Sequence, residues 1–154
     1  MSIQPGSSSG TGIPDFGSSF LLADGDLVLA GGELSQVDGV ANLKQALTLR
    51  LLTPYGTDQA NANYGLNAAQ AFTGNHGRGM VKELIRLEVV RTLASDPRVR
   101  EVTGVLFDDD PQFVAQVQAA GGTPAGHRNR VWQVIVTLET VRDTTALLLV
   151  DVGV

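Results

Sequence analysis

The chain has 154 residues, 43% of them hydrophobic and only 18% charged, with a net charge of -5 and a pI near 4.8. That length suffices for one domain with its own core. The acidic balance argues against a global attraction to nucleic acid or an anionic membrane, and the absence of cysteine excludes a disulfide framework and thiolate chemistry.

Residues 1–19 are rich in glycine and serine and are expected to form a flexible N-terminal arm, because they bury too little to offset the entropy of ordering. Ile13, Pro14, Asp15 and Phe16 are its candidate anchors, with Ile13 and Phe16 the apolar pair that would seat against a neighbour. Residues 20–154 then read as a single domain. Phe20-Leu21-Leu22 and the run Asp26 to Ala30 predict two short strands around an Ala23-Asp24-Gly25 turn, and Gly31-Gly32 ends the second.

Asp38 is a candidate N-cap for a helix that Pro54 stops, since proline lacks an N–H and forces Thr53 out of the helical region. Val40, Leu43, Leu47 and Leu51 recur at helical spacing. Leu49 and Leu52 make a second side apolar, which predicts a helix packed between layers, with contact to a neighbouring subunit as the alternative. Residues 57–63 are a polar loop, 66–72 two possible helical turns, and 74–79 a glycine-rich joint. A second main helix spans Met80 to Ala94, with Val81, Ile85, Val89 and Leu93 as one stripe and Leu84, Leu87, Val90 and Ala94 covering much of the rest; such a helix is expected to be buried. Glu83 with Arg86 and Glu88 with Arg91 are placed to pair along it.

Val99 to Phe107 alternates as a strand does, with Val99, Glu101, Thr103, Val105 and Phe107 on one side and Val102 and Leu106 on the other. Asp110-Pro111 can start a short helix to Ala120, although Phe113, Val114 and Val117 also permit a strand. After a loop to Asn129, Arg130 to Val141 is a strand with Trp132, Val134, Val136 and Leu138 on one face. Thr144 to Val152 returns as its hairpin partner. The fold class is therefore α+β: a small antiparallel or mixed sheet carrying two main helices, with a C-terminal β-hairpin. Leu147, Leu148, Leu149, Val150 and Val152 make the last strand too apolar for an open edge; a partner strand or another layer should meet it.

The sequence offers little chemistry. His76 and His127 sit in glycine-rich loops without a partner at metal-ligand spacing, and no phosphate-binding or dinucleotide fingerprint occurs. No metal and no cofactor is therefore expected. Glu83 and Glu88 are helix carboxylates in an apolar setting that permit a glycosidase reading, but an exposed or ion-paired helix face is their ordinary explanation. Asp108 to Asp110 suits a cation or a solvated acidic turn. Arg128 and Arg130 near Trp132 make one short basic cluster in an acidic protein. No basic stretch followed by an apolar run opens the chain, and no apolar run approaches the roughly 20 residues that span a bilayer, so neither signal peptide nor membrane partner is expected. Synthesis in the cytoplasm suits this pattern.

Three segments in order carry a resemblance: Pro14-Asp15-Phe16-Gly17-Ser18-Ser19-Phe20; Gly39 to Leu47 leading into Leu51-Leu52-Thr53-Pro54 and Asn63-Tyr64-Gly65; and Ile85 to Leu93 running into Asp96-Pro97-Arg98-Val99. Their order resembles the baseplate wedge family of contractile phage tails, the W-like or lysozyme-like wedge proteins, with relatives in type VI secretion baseplates, pyocins and extracellular contractile injection systems. The likeness covers about residues 14–107, and the terminal hairpin fits the family's C-terminal strands. It implies a structural, non-enzymatic protein held in a phage tail or injection-particle baseplate, six copies around the tube. It also implies sheath, wedge, and tube or hub proteins as partners, with the first sheath layer joined by strand exchange along Leu147 to Val152. The family's Glu-Pro-Arg contact with the wedge core corresponds to Asp96, Pro97 and Arg98, where the acid is one methylene shorter. An ancestral peptidoglycan-cleaving activity gives the family its lysozyme label and is the alternative reading.

Overall fold

The computed structural model describes residues 15–123 and 131–153; Ile13, Pro14, His127, Arg128 and Arg130 lie outside them. The first described element is a ribbon of short strands: β1 (Ser18–Phe20), β2 (Leu22–Ala23), β3 (Asp26–Leu27), β4 (Leu29–Ala30), β5 (Glu33–Leu34) and β6 (Gln36–Asp38). In place of the two strands expected, β1 pairs with β6, β2 with β3 and β4 with β5, all antiparallel. Two turns with consecutive positive φ make this possible. Asp24 and Gly25 (52° and 89°) close one hairpin, and Gly31 and Gly32 (60° and 85°) close the other. Gly31-Gly32 is thus a turn rather than a simple strand end. The three arms meet in a closed triangle of backbone bonds: the Leu21 amide donates to the Ser35 carbonyl, Ser35 to Val28, and Val28 to Leu21.

Phe16 corrects the expected arm. It is buried in this chain's own core, Arg142 lies 5.3 Å over its ring, and Ser18 and Ser19 already belong to β1. Residues 15–19 are therefore part of the fold.

Helix α1 (Gly39–Leu52) follows β6 directly. Asp38 occupies the N-cap with extended backbone, but its carboxylate makes no capping bond; the Gly39 amide is satisfied instead by the Gly17 carbonyl. Leu43, Leu47 and Leu51 are buried, each gaining about 1.5–3 kcal/mol from leaving water. Leu49 and Leu52 are exposed, so α1 is not sandwiched between two layers. Only one short turn, α2 (Ala69–Thr73), forms where two were allowed.

Helix α3 (Arg78–Ala94) buries Ile85, Val89 and Leu93, while Met80 and Leu87 face out, so it too is buried on one side only. Strand β7 (Val99–Phe107) pairs with β8 (Val131–Thr140), which pairs with β9 (Thr145–Gly153), giving an antiparallel sheet in the order β7-β8-β9. Two register shifts interrupt β7, between Val99 and Glu101 and between Val102 and Gly104. They correct the even alternation expected there: Glu101 and Thr103 are exposed, whereas Val102 packs against the core. The β8–β9 register runs without a break, and the alternation of Trp132, Val134, Val136 and Leu138 into the core is as the sequence indicates. Helices α1 and α3 cover one face of the sheet, with α1 over β9 and α3 over β7. On the opposite face lies α4 (Pro111–Ala119), a helix with Pro111 in its first turn and Phe113 fully buried. The fold is α+β, as expected.

Candidate functional site

The sheet has two edges, and they are built differently. The β7 edge carries both register shifts, a glycine at position 104, and exposed Arg100, Glu101 and Thr103. Irregularity and charge blunt an edge against pairing. The β9 edge is regular over nine residues and has no strand beyond it among the described residues.

Its chemistry follows from the ladder. The Thr140 amide donates to the Thr144 carbonyl, and register is unbroken from Glu139–Thr145 to Val131–Gly153. In an antiparallel pair each residue turns both backbone groups to the same side, alternating along the strand. Even-numbered residues of β9 therefore bond β8. Thr145, Leu147, Leu149, Asp151 and Gly153 direct their amides and carbonyls to the open edge. The side chains split by the same parity. Ala146, Leu148, Val150 and Val152 are buried in the core, whereas Leu147 and Leu149 are 51% and 54% exposed. Of the five residues assigned to strand exchange, Leu148, Val150 and Val152 hold this chain together, and only Leu147 and Leu149 are outward.

Two grooves flank this edge, one on each face of the sheet. On the α4 face a groove of about 620 Å³ runs between Val117 of α4 and Ala120 at its C-cap and Ile135, Leu147 and Leu149 of the sheet. Among the described residues none of its lining side chains is charged, and Gln116 and Thr137 are polar. On the α1 face a groove of about 360 Å³ lies beside the end of β9, between Asp151 to Gly153 and Leu52, Pro54, Tyr55 and Leu66.

The Asp96-Pro97-Arg98 triplet lies between α3 and β7, beside the β8–β9 turn, where the Val141 amide donates to the Arg98 carbonyl. The fork of Arg98, which the resemblance places at a contact with the wedge core, is taken by Asp96 of the same chain: Nε donates to Oδ1 at 2.9 Å and Nη2 to Oδ2 at 2.8 Å. The Arg98 backbone amide donates to the same Oδ1 at 2.9 Å. Arg50 of α1 adds a longer ion pair at 3.7 Å and stacks 4.9 Å over Tyr64. Burial alone would raise the Asp96 carboxyl, but the Arg98 bonds and the two guanidinium charges outweigh it and hold it below the usual carboxylate range. Asp96 is buried, Arg98 half-buried and Pro97 exposed, so Pro97 is the outward member of the triplet. Arg50 could not be assigned here from sequence, because 46 positions separate it from Asp96 and no local spacing joins them.

The remaining chemical candidates disperse. Glu83 pairs with Arg86 at 3.8 Å and Glu88 with Arg91 at 3.5 Å, as their spacing indicates. Asp109 and Asp110 take a cation from within the chain: Lys82 Nζ lies 2.8 and 2.6 Å from them. Burial raises the Asp110 carboxyl, yet the Lys82 and Phe107 N–H donors bring it below its ordinary value. Trp132 is in the core with Arg78 4.6 Å over its ring, and is no exposed stacking platform. His76 is exposed, and no group of three potential metal-ligating side chains occurs among the described residues. No described helix is long and apolar enough to cross a membrane. No protein-family model matches the chain, and no curated protein matches it.

Proposed function

We propose that this chain is a structural assembly subunit that adds a partner strand to the free edge of β9, and that it serves as a non-enzymatic baseplate component of a contractile tail or injection particle. In that role it joins the wedge core near the tube, in six copies, and starts the sheath by exchanging strands with the first sheath layer. One observation carries the first half: β9 is a regular edge with five residues directing their backbone groups outward, exposed Leu147 and Leu149 among them, and no strand beyond it among the described residues. Main-chain bonds along such an edge supply affinity, and alternate side chains set register. The resemblance over residues 14–107 supports the second half. Pro97 at the tip of the Asp96–Arg98 clasp is then the point offered to the wedge core.

The test is a cryo-EM map of particles from the native gene cluster. Density for this chain between tube, wedge and first sheath layer, with a foreign strand on β9, is the expected result. Density elsewhere in the particle, or β9 left bare in it, would reject the assignment. Leu149→Lys should give particles whose baseplates form but carry no sheath. Deleting β9 would be uninformative, since Ala146, Leu148, Val150 and Val152 belong to the core.

A further inference from the structure

We infer that the strand received by β9 is apolar on both faces, and that the groove between α4 and β9 selects the side chains of its outer face. This rests on the reading of β9 as a pairing edge, and goes beyond it by fixing the chemistry of the incoming segment.

The argument begins with widths. Helices packed side by side lie roughly 10 Å apart, whereas strands are spaced about 4.8 Å apart. Two helices therefore cover about four strands. Helices α1 and α3 are in contact and together cover one face, yet the sheet beneath them has three strands. Because α1 lies over the edge strand β9 as α3 lies over the edge strand β7, the excess width is divided between the two edges, and the irregular, charged β7 edge leaves β9 as the side that can take a strand. The exposed flank of α1 is apolar where polar residues would be ordinary: Leu52 is 53% exposed and lines the groove beside Asp151 to Gly153. A fourth strand would run beneath that flank and present one set of side chains to Leu52 and Leu66.

Its other set would face the opposite side. A strand set beside β9 places alternate side chains over the same two faces that β9 occupies. On the outer face they would meet Leu147 and Leu149, whose neighbours across the groove are Val117 of α4 and Ala120 at its C-cap. Among the described residues no charged side chain lines that groove, and Gln116 and Thr137 are its polar ones, so a lysine or glutamate set over Leu147 and Leu149 would exchange hydration for few partners, Asp151 beyond them being the nearest charge on β9. An apolar side chain would instead remove exposed leucine surface from water. A strand with one polar face, the ordinary pattern for a sheet open to solvent, fits one groove and wastes the other. A two-faced apolar strand fits both.

The experiment uses the full chain and two lysine-flanked synthetic peptides of the same length as β9, 9 residues. One has valine throughout its core; the other alternates valine with serine. Binding is followed by fluorescence anisotropy of labelled peptide, and its location by amide exchange at Leu147, Leu149 and Asp151. We expect the two-faced peptide to bind at least roughly tenfold more tightly, since each extra buried valine contributes more than the free energy of one such factor. Both peptides should slow exchange at those three amides. Ala120→Lys, on the exposed end of α4, should reduce the two-faced peptide to the affinity of the alternating one. Equal binding of the two peptides overturns the inference while leaving β9 as a pairing edge. No protection by either peptide removes the edge reading itself. A chain that is already dimeric through β9 and excludes both peptides would assign the grooves to a second copy, and that also overturns the inference.

Discussion

At the scale of single residues, Asp96 decides most. A carboxylate held below its ordinary range stabilises the fold at pH values above its unfolded value of about 3.9, and that contribution is lost as pH falls from there through the folded value. Asp96→Asn should therefore cost about 2 kcal/mol at neutral pH by urea denaturation, because Arg98 loses a charged, bidentate acceptor in a buried setting. It should also flatten the acid limb: the difference between variant and parent should begin to shrink only as pH falls below about 4. A difference that persists undiminished well below that value would contradict the assignment. Gly65 is a second decisive position. Its φ is +108°, and a Cβ there would sit 2.5 Å from the Thr53 carbonyl oxygen. That oxygen already accepts from the Leu66 amide, so it has no room to move. Gly65→Ala should lower stability by at least about 2 kcal/mol, or Tm by roughly 4–8 °C in a chain of this size. An unchanged Tm would mean the loop relaxes freely.

At the scale of elements, the parity of β9 separates structure from assembly within one strand. Leu148→Ala removes a side chain that is 2% exposed and should cost about 2–5 kcal/mol. Leu147→Lys should change urea stability by no more than about 0.5 kcal/mol, and on the proposed function it should also disrupt sheath attachment. Equal losses for both would show that the outward leucines belong to the core. The strands also show what the sequence could and could not reveal. β8 was legible because its register is unbroken and Trp132 to Leu138 keep strict alternation. The span of β7, Val99 to Phe107, was legible too, but its facing was not, because two register shifts change which side chains turn inward, and nothing in Glu101 or Thr103 marks them. The helical stripe of Leu43, Leu47 and Leu51 was legible. The outward placement of Leu49 and Leu52 was not, since an exposed apolar side and a second buried side read alike in sequence.

At the scale of the whole molecule, the ribbon and the helical layer are joined through two side chains that spacing alone would class as ordinary helix surface. Asn42 Nδ2 donates to the Phe16 carbonyl at 2.6 Å, and its Oδ1 accepts from Ser19 Oγ. Gln45 accepts from the Leu22 amide at 2.9 Å and donates to the Phe20 carbonyl at 2.9 Å. The signal that could have found Asn42 is its position directly beside Leu43 on the buried side of α1, where a polar group needs a partner. The three-armed ribbon itself had no local signature. Its joint at Leu21, Val28 and Ser35 is a tertiary arrangement of ordinary residues. Asn42→Ala should raise amide exchange at those three positions together, leaving β8 protected; independent changes at the three would disprove a shared joint.

The direct run of β6 into α1 has a mechanical consequence. No linker residue separates Asp38 from the helix, and Asn42 and Gln45 bind the ribbon to the first turns of the same helix. Ribbon and helix are thereby tied into one piece, with exposed Leu27, Leu29 and Leu34 at the ribbon end and α1 resting on β9 at the other. A force applied at those leucines would be passed through α1 to the free edge of β9.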